Sequence, residues 1–276
     1  MPEIGIVAAM EREVAPLVRN WKVRTLCQSG RQSRKYRLFE NVFENGEVAL
    51  ICGGVGFEAA RRATEVLIQE AKPTRVISVG FAGALSASLR VGDVVVPRTV
   101  INSADGSRTE VGSGDGALVS AAAVAGNYQK ARLANAYGAI AVDMEAAAVA
   151  QGALARGVEF AAIKAISDTA DFEMPALDQS FTSDGRFQTA KFASYMALHP
   201  GLWRSTIVLA RNSSRASRAL SDAITAYLND ANRSRNNIAA GDADGRPMPQ
   251  IAEALKFAGA HTTAGLRAHT EPQEKL

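Results

Sequence analysis

Between Ile4 and Asp168 the chain alternates short, nearly unbroken apolar runs with stretches whose apolar residues recur at helical intervals. Ile4–Ala8 precedes EREVAPLV, VALICGG (48–54) precedes FEAARRATEVLIQEA (57–71), and GAIAVDM (138–144) precedes EAAAVAQGALA. RVISVGFAGAL (75–85), VGDVVVPRTVI (91–101) and VEFAAIKAISD (158–168) read as further strands ending in turns. A strand that is apolar at almost every position is covered on both faces, and the intervening helices supply the cover. The pattern predicts an α/β protein, a single domain whose mostly parallel, mixed central sheet is flanked by helices on both faces.

The domain is predicted to occupy residues 1–229. From about Asp230 the chain turns polar, with NNIAAGDADGRPMPQ at its centre, so 230–276 reads as a loosely attached C-terminal tail. A short helix around IAEALKFAGA (251–260) would be a contact segment within it. INSADGSRTEVGSGDG (101–116) is polar and glycine-rich, which predicts a loop placed to cover a site.

Several function classes fall away. With 31 basic and 28 acidic residues the net charge is only +3, and no basic stripe with interleaved aromatics suggests nucleic acid. A small molecule or another protein chain is the expected partner. No run of about 18 apolar residues suggests a membrane span. The start, MPEIGIVAAMERE, carries acids where a signal peptide carries basic residues, so a cytoplasmic location is expected. Cys27 and Cys52 form no CxxC pair and no Cys/His cluster has metal-ligand spacing, so free buried thiols and no metal are expected. Gly54, Gly56 and Ala59 fit the G-x-G-x-x-A dinucleotide fingerprint between strand and helix. The next strand, however, ends in glycine and phenylalanine where a ribose-binding acid is needed, so a tight turn is the better reading and no cofactor is expected.

The histidines, His199, His261 and His269, all follow the last clear strand, which leaves acid–base chemistry to carboxylates. Glu11 and Glu13, Asp143 and Glu145, and Asp168 and Asp171 follow three separate strands. Ligands of open α/β sheets bind outside the carboxyl ends of strands, where these acids would converge. Asp143 and Glu145, one residue apart before an alanine-rich helix, also suit simple helix-start chemistry.

IGIVAAMEREV, GGVG, VGFAGALSASLRVGDVVVP, VDMEAAAVA and AIKAISDTAD occur in that order. Together they resemble the purine nucleoside phosphorylase/uridine phosphorylase superfamily, over roughly residues 3–228 and with a shortened 101–140 region. Within it they look most like the methylthioadenosine/S-adenosylhomocysteine nucleosidase branch. The resemblance implies a phosphorylase/hydrolase-like fold and cleavage of the N-glycosidic bond of a 5′-modified adenosine. It implies that Asp168 protonates adenine at N7, with Ser167 placing its side chain, and that Glu13 orients the attacking water. Glu145 would bind the ribose hydroxyls with Met144 packed against the sugar. Met10, Phe81, Val124, Ala125 and Lys164 complete the candidate substrate-binding set. Asp143 is left as a structural acid. On chemical grounds Asp168 has to carry a proton, which burial favours, whereas Glu145 has to be ionised.

Some positions depart from the family pattern. Phe81 stands where a serine helps hold water or phosphate, and Lys164 stands where arginine is usual, losing the bidentate fork. Asp143 replaces a commoner glutamate. Phosphorolysis would need a cationic cradle, for which Arg12, Arg90 and Lys164 are the candidates, while Glu13 would repel phosphate and favours water. HPGLWRSTIVLARNSSRASRAL also resembles hopanoid-associated phosphorylases, which would imply an adenosyl lipid precursor. Hydrolysis is the preferred reading, with phosphorolysis and a non-catalytic nucleoside-binding protein as alternatives. The resemblance further implies a homodimer.

Overall fold

A computed structural model describes residues 2–28, 34–43, 46–112, 114–173 and 203–239. In chain order the elements are β1 (Ile4–Ala8), α1 (Glu11–Val18), β2 (Lys22–Gln28), β3 (Arg34–Phe43) and β4 (Gly46–Cys52). Then come α2 (Phe57–Ala71), β5 (Arg75–Ala84), β6 (Val94–Val95), β7 (Thr99–Asn102), β8 (Arg108–Glu110) and β9 (Ala117–Ser120). The rest are α3 (Asn127–Tyr137), β10 (Ala141–Asp143), α4 (Ala146–Leu154), β11 (Glu159–Asp168) and α5 (Trp203–Ala239).

The strands form one mixed sheet in the order β2-β3-β4-β1-β5-β10-β9-β7-β8, with β11 also paired to β5 and β6 paired to β11. β5 is the hub. β1 and β11 run parallel to it, from Ile4↔Arg75 and from Glu159↔Arg75, and β10 pairs antiparallel with its last residues at Val142↔Gly83 and Ala141↔Ala84. The carboxyl ends of β1, β5, β10 and β11 therefore meet in one region. The β11 ladder shifts between Ile166 and Asp168, which pair with Ala82 and Gly83. Ser167 is thus an extra residue, a bulge of the kind that re-aims the side chain after it. That side chain is Asp168.

Side chains alternate along β1 as the pleat requires, with Ile4, Ile6 and Ala8 on one face and Val7 on the other. The first face packs against α1 and α5 through Val14, Val18, Leu220, Ile224 and Tyr227. The second packs against α2 and α4 through Val66, Leu67, Ala147 and Val149. Close approach explains the small residues: a Cβ on Gly53 would lie 2.6 Å from the Ala63 Cβ, so α2 rests directly on the turn before it.

The structure corrects some boundaries. Residues 91–101 form two strands, β6 and the start of β7, with the ladder broken at Pro97, which has no N–H to donate. The expected loop 101–116 contains β8, which pairs with β7 from Thr99↔Glu110 to Ile101↔Arg108 around the left-handed Gly106 (φ 73°). α5 runs through Ala239, across the position 229 at which the domain boundary was expected. Both cysteines are free thiols, as expected, but Cys27 is exposed on the outermost strand β2 and Cys52 is half-buried. His199, His261, His269 and the helix expected at 251–260 lie outside the described residues. No helix among the described residues is long and apolar enough to cross a membrane.

Candidate active site

The converging strand ends open into a cavity of about 770 Å³. Met10, Glu13, Phe81, Val124, Ala125, Met144, Glu145, Ser167 and Asp168 all line it, so nine of the ten side chains singled out from sequence share one wall. Each acid is set by backbone. Glu13, in the first turn of α1, accepts the Met10 N–H at 3.0 Å on Oε2, curling back over the end of β1. A Cβ on Gly80 would come within 3.2 Å of the same oxygen, so the glycine of β5 leaves room for it. Burial pushes the Glu13 carboxyl above the usual carboxylate range, against the lowering effects of the Met10 N–H, Lys164, Arg12 and the Phe81 N–H.

Asp143 and Glu145 divide their work. Asp143 accepts the Ala146 N–H at 2.9 Å and thereby caps α4, while its other oxygen accepts the Ser120 hydroxyl at 2.5 Å. Ser120 in turn accepts the Ala147 N–H at 3.0 Å. Glu145 reaches across the cavity wall and accepts the Gly56 N–H at 2.8 Å, so the glycine turn that imitates a dinucleotide loop serves as a seat for a carboxylate. Gly56 holds φ +96°, a left-handed conformation that aims its N–H there.

The surroundings of Glu145 oppose the ionised state expected of it: desolvation, then the neighbouring charge of Asp143, and also Glu13, push it up to about 8, against the opposing pull of Lys164 and the Gly56 N–H.

Lys164 does not line the cavity. It is fully buried one layer beneath, 2.9 Å from Asp143 Oδ2 and donating to Ser78 Oγ at 3.0 Å. Burial alone would lower its ammonium, but Asp143, Glu145 and Glu13 together hold it above its ordinary value. Its role is to neutralise the acids from below. Of the other cations considered for phosphate, Arg12 lines the cavity and Arg90 is exposed outside it.

Asp168, expected to be placed by Ser167 and kept protonated by burial, accepts the Ser167 hydroxyl on Oδ1 at 2.7 Å and a Lys130 ammonium N–H from α3 on Oδ2 at 2.5 Å, the second partner being one the sequence did not mark. Lys130 lies in NYQKARLANAY on the same face as Leu133, Ala134 and Tyr137, which pack on the core, but its charge did not announce a buried position. The residues of α5 that face the cavity, among them Leu209, Ser213 and Arg218, were equally unmarked.

The sequence model of the phosphorylase superfamily matches residues 3–128 and 113–194. The chain belongs to that superfamily. A 5′-methylthioadenosine/S-adenosylhomocysteine nucleosidase of Glaesserella parasuis is 32% identical over 206 residues, 62% of this chain and 87% of the relative. Among solved structures, the 5′-methylthioadenosine nucleosidase of Arabidopsis thaliana aligns with TM-score 0.63 at 20% identity, covering 90% of this chain and 98% of that one. The futalosine hydrolase of Helicobacter pylori aligns with TM-score 0.57 at 19% identity, over 79% of this chain and 95% of that one. Both share the fold of this superfamily member.

Proposed function

We propose that the protein is an enzyme that hydrolyses the N-glycosidic bond of a 5′-modified adenosine, of the methylthioadenosine/S-adenosylhomocysteine type, and releases adenine. The observation that carries this reading is the meeting of Glu13, Glu145 and Asp168, from three separate strand ends, on one cavity wall. The nucleosidase of Glaesserella parasuis, at 32% identity, supports the same reaction class.

In this mechanism the ribose lies against Met144 and its hydroxyls reach Glu145. Bond cleavage builds positive charge on the sugar, as in other glycoside cleavages. A Glu145 carboxylate answers that charge, so ligand binding that expels its proton strengthens the contact. The C1′–N9 electron pair passes to the adenine, and Asp168 delivers a proton to N7, a contribution of roughly 10²–10⁴-fold for such a transfer. A water held by Glu13 adds to C1′ and gives its proton to that carboxylate, whose upward shift suits a base.

Phosphorolysis is the weaker reading. Lys164 is committed to Asp143 and Ser78, and Arg90 stands outside the cavity, which leaves Arg12 of the three cations proposed for a phosphate cradle. On the same reading the protein serves purine salvage in the cytoplasm as a homodimer. The test is adenine release from methylthioadenosine with and without phosphate. Phosphate-independent release is expected, and Asp168→Asn abolishes it. Strict dependence on phosphate would establish the phosphorylase instead, and binding with no turnover would establish a nucleoside-binding protein.

A further inference from the structure

Lys130 is the one residue of α3 that is buried. Leu133, Ala134 and Tyr137 of the same helix face pack against the core beside it, and a leucine or methionine at 130 would cost less there than a cation. The surroundings are nevertheless shaped around it. A Cβ on Gly83 would come within 2.9 Å of Asp168 Oδ2 and 3.3 Å of Lys130 Cε, so the glycine at the end of β5 vacates the space the pair occupies. The Ser167 bulge turns Asp168 toward the pair, and the Asn127 amide donates to the Asp171 carbonyl at 3.1 Å, fixing the start of α3 to the turn after β11. The ammonium donates to Asp168 and to the Thr169 carbonyl, at 2.5 and 2.6 Å. Its third N–H is used by no described residue, and the side chain forms part of the cavity wall. Asp168 is ion-paired with it, and the exposed Asp171 feels its charge. On the β5 side its Cε lies against Gly83.

The reaction proposed above needs a proton at N7, and the contact between the Lys130 ammonium and the Asp168 carboxylate carries one. When a nucleoside fills the cavity and displaces water, the charged pair loses solvation and its neutral tautomer, amine and carboxylic acid, becomes accessible. We infer that Lys130 is the proton reservoir of the acid, a positioning and supplying residue that acts through Asp168. As C1′–N9 breaks and its electron pair enters the adenine, the one proton shared by the pair passes through the Asp168 carboxyl to N7, leaving a neutral Lys130 amine and an Asp168 carboxylate. The amine regains a proton from solvent after the base departs. Water supplies hydroxide to C1′ and a proton to Glu13, which returns it to solvent, so the net reaction is hydrolysis. The inference rests on the hydrolase reading.

The test compares Lys130→Met, Lys130→Arg and Lys130→Ala in the full chain, with methylthioadenosine as substrate and an uncleavable C-nucleoside analogue as binding probe. Arginine keeps the charge but does not give up a proton near neutrality. Both Lys130→Met and Lys130→Arg are expected to lose about 10²-fold or more in kcat, with binding of the analogue within about threefold of wild type. Ethylammonium added to Lys130→Ala is expected to restore turnover about tenfold. An arginine variant as active as wild type would reduce the lysine to a fixed charge and overturn the inference. So would a methionine variant in which binding and turnover fall together, or one that loses nothing. A wild-type protein that binds the analogue but releases no adenine overturns the hydrolase reading, and this inference with it.

Discussion

The backbone N–H of Gly56 and the Oε1 of Glu145 are joined by a 2.8 Å hydrogen bond across a separation of 89 residues. The bond connects two stretches of sequence that read as unrelated, a glycine turn and the start of an alanine helix. It holds the Glu145 carboxyl near Asp143 and Lys164.

Crowding of acids makes Glu145 a liability for stability. Its folded value of about 8 lies above the ordinary 4.5, so between those two pH values the folded protein binds more protons than the unfolded chain. The favourable contribution is complete below 4.5 and is lost as pH rises through 8. Glu145→Gln keeps an acceptor for Gly56 and cannot ionise. Relative to wild type the variant should therefore gain stability from pH 5.5 to 9, by about 1.4 kcal/mol or more. Adenine release should fall about 10²-fold in the same variant. Denaturant melts at the two pH values check the first claim, and a difference that stays constant with pH refutes it.

Gly56→Ala tests the turn itself. No atom lies within 4 Å of the added Cβ, so crowding is not the issue, but φ +96° is poorly tolerated by alanine. A loss of about 1 kcal/mol is expected, together with a raised KM as the N–H swings away from Glu145. Unchanged KM would show that the bond does not seat the carboxylate.

Asp143→Ala removes the α4 cap and strands the Lys164 ammonium in a dry layer. Breaking a buried pair by deleting one partner costs about 3–5 kcal/mol. Asp143→Ala combined with Lys164→Met should recover part of that loss. Additive losses in the double variant would show the two residues to be energetically independent.

Glu13 sets a pH limb. The water base works ionised, and burial holds its carboxyl above the usual range. kcat/KM should accordingly rise with pH through an inflection above 4.5, and Glu13→Gln should erase that limb while lowering kcat about 10²-fold. An intact limb in the variant would assign it elsewhere.

The sequence by itself determined the α/β layering, because unbroken apolar runs between amphipathic helices have few other ways to hide both faces of a sheet. It also located Glu13, Glu145 and Asp168, because acids that follow the carboxyl ends of the strands come to one place in such a fold. The division of labour in VDMEAAAVA was half legible: an acid before a helix announces a cap, but only the bond from Ala146 says that Asp143 is the one that caps. Tertiary structure alone decided the charge states and their partners. Lys130 looks like one more charged residue of a largely polar helix, Lys164 like a site cation, and Gly56 like a phosphate turn. Each has its role from an atom that the chain brings to it from dozens of residues away, since burial and Coulomb interactions depend on distance in space and not along the sequence.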